Sequence, residues 1–172
     1  MSQSDEPLFD EDDIAHGPVP SSDPAVRERI RSLLEEQPYA VLCVQGGEQP
    51  YGALVAIAFS EDLQHAVFST PVETRKYRLL SECSHVALVI DDRSKKADKL
   101  MEIEAVTATG NAHLIERGED FERWAELLTA RHPYLKSFSR AATCALFRID
   151  VIRFLHVVRF QEVCQWIPTA RS

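Results

Sequence analysis

The stretch from Phe68 to Cys83, Phe-Ser-Thr-Pro-Val-Glu-Thr-Arg-Lys-Tyr-Arg-Leu-Leu-Ser-Glu-Cys, constrains this chain more than any other. An apolar run ends in two hydroxyl residues, Ser69 and Thr70, and breaks at Pro71, which has no N–H to offer a strand ladder. The spacing predicts a helix from about Glu73 to Cys83 that buries Tyr77 and Leu80, followed by the continuous apolar strand Val86–Ile90. Arg75 and Lys76 fall in the first helical turn. Cations are disfavoured there, because the helix start already carries partial positive charge and unpaired N–H groups. Two cations, two hydroxyls and free amides at one helix start make an anion site that a phosphate would satisfy. The same residues also read as a surface helix whose basic side chains pair with Glu73 or Glu82.

Other elements follow from capping and periodicity. Ser22 or Asp23 caps a helix with Pro24 at its first position and Val26, Ile30, Leu33 and Leu34 on one face, and Gln37-Pro38 stops it. Tyr39–Val44 and Tyr51–Phe59 form a hairpin turning at Gly46-Gly47. Gly52, inside its second strand, marks a bulge or a ligand lying close to the backbone. His65–Thr70 is a third strand, and Ser94–Lys99 is an exposed polar loop. Ile103–Ile115 is a long strand bent at Gly110. Glu119–Ala130 is a helix with Phe121, Trp124, Leu127 and Leu128 inward, ended by His132-Pro133. Tyr134–Ala141 adds a helical turn, and Thr143–Phe160 reads as two strands joined by a turn or bulge near Asp150. Six or seven mostly antiparallel strands with interposed helices predict a mainly β (α+β) barrel decorated by helices.

Residues 1–23 are acidic, with Pro18 and Pro20 and little to bury, and are expected to form a flexible N-terminal arm; residues 24–172 form one domain. The formal net charge is −8, and Asp5, Glu6, Asp10, Glu11, Asp12 and Asp13 carry most of it. An acidic chain without a basic block is not built for a nucleic-acid backbone or an anionic membrane surface. No apolar run is long enough to span a bilayer and no signal sequence opens the chain, so a cytoplasmic protein is expected. Cys43, Cys83, Cys144 and Cys164 lie far apart without a Cys-x-x-Cys pair, which predicts free thiols and no metal ligands. Gly-x-Gly-x-x-Gly and Walker patterns are absent, so neither a Rossmann domain nor a P-loop is expected.

The order strand, Ser-Thr, turn, Thr-Arg-Lys, amphipathic helix, apolar strand resembles the FMN-binding split-barrel family related to pyridoxamine 5'-phosphate oxidase. The resemblance runs from about Tyr39 to Phe160 and implies a split β-barrel homodimer with FMN between subunits. It implies that Gly52–Ile57, with Val55 and Ala56, runs along the flavin ring, and that Ser69, Thr70 and Thr74 lie near the ribityl chain and phosphate. Arg75 and Lys76 would hold the phosphate, and Asp91 would stand near the cleft. The implied function is a flavin-dependent oxidoreductase acting on an unidentified small molecule, in which the ring does the redox chemistry and no protein acid–base pair is required. The family's oxidase has a C-terminal substrate motif with an arginine and a histidine that Glu162-Val-Cys-Gln-Trp-Ile-Pro168 does not match, so the true oxidase activity is not implied. Other occupants of the same barrel are a deazaflavin, bound at a related phosphate site, and haem held by His156 or His16. A non-catalytic flavin-binding module is a further alternative. The six histidines otherwise show no metal-ligand spacing.

Overall fold

Antiparallel pairing organises almost the whole chain. The computed structural model describes residues 19–46, 49–159 and 162–168. A two-residue strand β1 (Val19–Pro20) precedes helix α1 (Pro24–Glu36), the hairpin β2 (Tyr39–Gly46) and β3 (Gln49–Ala56), and the short β4 (Ala58–Phe59). Strand β5 (His65–Pro71), helix α2 (Arg75–Glu82) and strand β6 (His85–Asp91) come next. Two 3-10 turns lead to β7 (Ala105–Leu114), helix α3 (Glu119–Arg131), a 3-10 turn (Pro133–Leu135), helix α4 (Lys136–Arg140), β8 (Cys144–Val158) and β9 (Glu162–Trp166).

The sheet runs β1-β9-β8-β7-β6-β2-β3. Strand β8 makes it curl. One of its edges pairs with β7 along its length, while the other pairs first with β5 and then with β9. Strand β5 also pairs with β4, one residue beyond β3, so the hairpin and β5 fold the sheet back into a split barrel. Among the described residues β3 itself pairs only with β2 and keeps a free edge.

Local chemistry explains the helix boundaries. The Asp23 carboxylate accepts from the Ala25 N–H at 2.8 Å and Pro24 opens α1, satisfying orphan donors at its start. Gln37 closes it, as Gln37-Pro38 predicts. In α2 the cap is Thr74, and Leu79 and Leu80 are buried where Tyr77 and Leu80 were expected; Tyr77 is half-buried. Gly46 lies where a Cβ would run into Leu79 Cδ2, so its missing side chain lets α2 lie against β2.

Three expectations change, and one strand was not expected. The second hairpin strand is not continuous to Phe59, because Ile57 leaves the ladder and its N–H bonds the Pro38 carbonyl at 3.3 Å. Gly52 sits in unbroken β2–β3 register and forms no bulge. Thr143–Phe160 contains one long strand, not two; the irregularity is a register shift against β7 at Thr109/Gly110, which sets Gly110 opposite Val151 and leaves Ile152 without a register partner on β7. Strand β9 follows it, absent from the sequence reading because Glu162–Trp166 has no apolar alternation. The irregularity falls opposite Gly110, with its extra residue on β8, and a Cβ at Gly110 would strike the Asp150 carbonyl. Of the arm, Val19–Pro20 pairs in parallel with Cys164–Gln165, and residues 1–18 lie outside the described residues.

Two apolar layers result. Phe68, Leu88 and Phe154, all without exposed surface, fill the barrel interior with Leu42, Ile90 and Ile149; each such side chain stabilises by about 2 kcal/mol. A second layer, with Val67, Phe121, Trp124, Ala125, Leu128 and Leu146, lies between α3 and the outer face of the sheet. The partition follows strand periodicity: Phe68 points inward, Val67 outward.

Candidate functional site

Helix α2 starts where β5 ends at the barrel rim. The Thr74 hydroxyl accepts from the Tyr77 N–H at 3.3 Å and lies 2.9 Å from both the Pro71 carbonyl and the Thr70 hydroxyl. Thr74 has one proton, which it donates to Pro71; Thr70 therefore donates to Thr74. Both hydroxyls are thus committed to shaping the helix start. The first helical bond is Arg78 N–H to Thr74 C=O at 3.3 Å, which leaves the amides of Arg75 and Lys76 at the open end.

The donors that remain come from three other side chains. Arg75 is exposed and its guanidinium lies 5.1 Å over the Tyr51 ring, a cation–π contact. Lys76 is half-buried. Among the described residues neither has a carboxylate within ion-pair distance, so the expected alternative pairing with Glu73 or Glu82 is not formed. Ser69 Oγ is buried without a hydrogen bond. It points to the face of β5 opposite Thr70, towards the buried Cys144. Burial pushes the Cys144 thiol up in pKa, while the Ser69 hydroxyl, Arg117 and Lys76 pull the other way. Two cations without a carboxylate partner among the described residues, and two open amides at a helix start, fit a phosphate group of a bound nucleotide cofactor.

The remaining predicted residues are less concentrated. Val55 is 5% exposed and its side chain belongs to the barrel interior, so it could serve a ligand only through its backbone on the free edge of β3. Ala56 faces outward opposite Tyr39. Asp91 ends β6 with its carboxylate on the Arg93 N–H at 3.0 Å. The register Val41↔Val89 sets it towards the Tyr39 end of β2, whereas Tyr51, beneath Arg75, pairs with Val44 near the other end. The structure therefore brings Thr70, Thr74, Arg75 and Lys76 together and leaves Asp91 apart. Sequence reasoning missed Tyr51 and Cys144; the hairpin alternation could have pointed to Tyr51, while Cys144 reaches Pro71 only through β5–β8 pairing.

His156 is 2% exposed, and its Nε2 lies 3.1 Å from Glu104 Oε2. That nitrogen is occupied by a carboxylate, the satisfied arrangement expected of a structural histidine. His16 lies outside the described residues. All four cysteines are free; Cys144 is buried and the others half-buried. No helix among the described residues is long and apolar enough to cross a membrane.

The fold is that of the pyridoxamine 5'-phosphate oxidase-like split barrels. The chain belongs to the pyridoxamine 5'-phosphate oxidase family, whose model matches residues 26–157. Among solved structures it is similar to a haem-binding protein from Mycobacterium smegmatis, with a TM-score of 0.74 and 16% identity over 86% of this chain and 60% of that one. It is also similar to HutZ, the haem storage protein of Vibrio cholerae (TM-score 0.64, 16% identity, 72% of this chain and 88% of that one). An FAD-binding protein from Mesorhizobium loti gives a TM-score of 0.61 at 13% identity, over 75% of this chain and 91% of that one. No curated protein matches the chain in sequence.

Proposed function

We propose that this chain is an FMN-binding flavoprotein, an oxidoreductase acting on a small molecule, with the cofactor phosphate at the start of α2. The observation that carries this reading is the pair Arg75 and Lys76 at the start of α2, neither with a carboxylate partner among the described residues. A phosphate there would receive charge-assisted hydrogen bonds from both side chains and from the two open amides. The free edge of β3 would lie along the flavin ring, with the backbone of Val55 and Ala56 available to its polar rim. When bound, the flavin supplies the hydride or electron transfer, and the protein's part is to hold and orient it.

A homodimer is supported by the sheet itself. Its outer face carries Val41, Cys43, Ala87 and Val89 only half-buried, and Leu54 and Ile152 are 70% and 53% exposed. An apolar face of this kind, beside a free strand edge, needs a cover, and a second copy placed there would enclose the flavin ring. The free thiols suit a reducing compartment, and we place the protein in the cytoplasm. Haem has weaker support: the His156 Nε2 would have to leave Glu104 to reach iron.

The visible absorption spectrum of the purified protein, before and after acid release, tests the reading. A two-band flavin spectrum with released FMN is expected, together with its loss in the Arg75→Ala/Lys76→Ala variant. A Soret band, a released deazaflavin or an unchanged flavin content in that variant would overturn it.

A further inference from the structure

His132 is nearly as buried as a core leucine, at 2% exposure, yet titratable and unused by the cofactor reading. Its Nε2 lies 3.0 Å from the Ile57 carbonyl oxygen. A carbonyl only accepts, so Nε2 carries a proton. Its Nδ1 lies 3.2 Å from the Tyr134 hydroxyl, and that hydroxyl lies 3.3 Å from the hydroxyl of Tyr39. Tyr134 and Tyr39 are 64% and 47% exposed. Three groups therefore connect a carbonyl in the barrel wall to solvent. Ring contacts hold them in place: Tyr39 stacks on His132 at 6.2 Å, and Tyr134 meets it edge-on at 5.8 Å. The nearest cation in sequence, Arg131, is committed elsewhere, its Nη2 donating to the carbonyls of Leu34, Glu35 and Gln37.

The line has two states that differ by one proton. With Nδ1 bare, Tyr134 donates to it, Tyr39 donates to Tyr134, and Tyr39 offers only lone pairs outward. With Nδ1 protonated, Nδ1–H donates to Tyr134, Tyr134 donates to Tyr39, and the Tyr39 O–H turns outward as a donor. The two hydrogen bonds between Nδ1, Tyr134 and Tyr39 reverse without movement of a heavy atom, while Nε2–H keeps donating to the Ile57 carbonyl. The position of the outer end matters as much. Tyr39 is the register partner of Ala56, so the two side chains share the outer face, and Ile57 is the next residue along.

We propose that His132, Tyr134 and Tyr39 form a proton relay serving a reactant bound on the outer face beside Ala56. The proposal rests on the flavin reading for its electron source. In the reducing direction the Tyr39 O–H bond breaks and its proton passes to the reactant. Tyr39 then takes the proton of Tyr134, and Tyr134 takes that of His132 Nδ1, leaving a neutral imidazole. A reduced flavin held along β3 would supply the hydride, so the reactant would gain two electrons and two hydrogens in all. Water at the exposed end reloads the line through the same bonds. Tyr39 is the residue that touches the reactant; Tyr134 and His132 act through it.

The test uses the full chain loaded with FMN, reduced, and mixed with two acceptors. Menadione, a quinone, needs protons with its electrons; ferricyanide needs electrons alone. Tyr39→Phe and Tyr134→Phe keep both rings and each removes one link. Quinone reduction should slow about 10²-fold in either variant, with loss of the wild-type solvent isotope effect, while ferricyanide reduction and FMN affinity stay unchanged. Unaltered quinone reduction, or equal slowing of both acceptors, would overturn the relay. A protein that takes up no FMN overturns the flavin reading instead, and the relay is then judged by NMR of 15N-labelled histidine. Exchange of the His132 Nδ1 proton with water should slow about tenfold or more in Tyr134→Phe, and an unchanged exchange rate would rule the relay out.

Discussion

Two short cationic segments of this molecule carry similar charge and treat it differently. After β6, Arg93 Nε lies 3.2 Å from Asp91, Lys95 Nζ 2.8 Å from Glu36 and Lys96 Nζ 2.6 Å from Asp92. Asp92 is 7% exposed and also accepts from the Glu104 N–H at 2.9 Å, so this segment pins the loop between β6 and β7. At the start of α2, Arg75 rests on an aromatic face and Lys76 has no carboxylate among the described residues. Charge count alone does not separate the two segments. Pairing does: in the loop the cations are balanced by the fold, and at α2 no carboxylate among the described residues balances them, as the proposed phosphate site requires.

The largest way to break this comparison is to remove the unpaired cations. Charge-assisted hydrogen bonds contribute about 1.5–3 kcal/mol each, so Arg75→Ala/Lys76→Ala should weaken FMN binding by about 10³-fold. Quenching of flavin fluorescence on titration reads this directly, and the melting temperature of the cofactor-free protein should hold. The opposite signature is expected at the loop. Asp92→Ala leaves Lys96 and the Glu104 amide without their partner and should cost about 3 kcal/mol of stability, seen as a lower urea midpoint, with FMN affinity of the folded protein retained. If Asp92→Ala instead abolished FMN binding at unchanged stability, the contrast between the segments would be wrong.

Gly46→Ala should touch both properties at once. The new Cβ runs into Leu79 Cδ2, and overpacking of this kind costs about 1–3 kcal/mol. Because Leu79 belongs to α2, FMN affinity should fall with stability, and denaturation and flavin titration of one sample can check that they move together.

The smallest effect concerns acid. Burial pushes the Asp150 carboxyl up, but the Arg148 hydrogen bond and charge, with His65 beside it, outweigh burial and hold it below its ordinary value. A carboxyl depressed in the folded state contributes stability above its unfolded pKa and loses that contribution as pH falls through the folded one. The pair is partly exposed, so screening keeps the effect small. Arg148→Met should therefore lower stability slightly at pH 7 and not at all once the carboxyl is protonated, a convergence that urea midpoints from pH 7 down to pH 2 would reveal or deny.

Two buried histidines among the described residues sharpen the same lesson. His132 and His156 have equal exposure, but His156 faces a carboxylate and His132 faces a carbonyl and a hydroxyl. In the sequence His132 is a helix stop beside Pro133, and nothing near it announces Tyr39, which is far away along the chain. Its partner is set by where α3 docks on the sheet.

The sequence by itself determined the local elements and the chemistry at one helix start. Asp23-Pro24 and Thr74 act through the backbone next to them, and the break at Pro71 before Thr-Arg-Lys needs no distant partner to define a helix with cations in its first turn. Tertiary structure decided what depends on pairing across the chain. Strand β8 runs unbroken through Asp150 because β7 and β5 hold its two edges. Strand β9 exists because the upper half of β8 offers it a ladder. Val55 turns inward and Ala56 outward because β2 sets their register. Whether a given cation is balanced or free is likewise a matter of which carboxylates the fold brings within a few ångströms. Contacts of that kind join residues far apart in sequence, and a linear pattern carries no record of them.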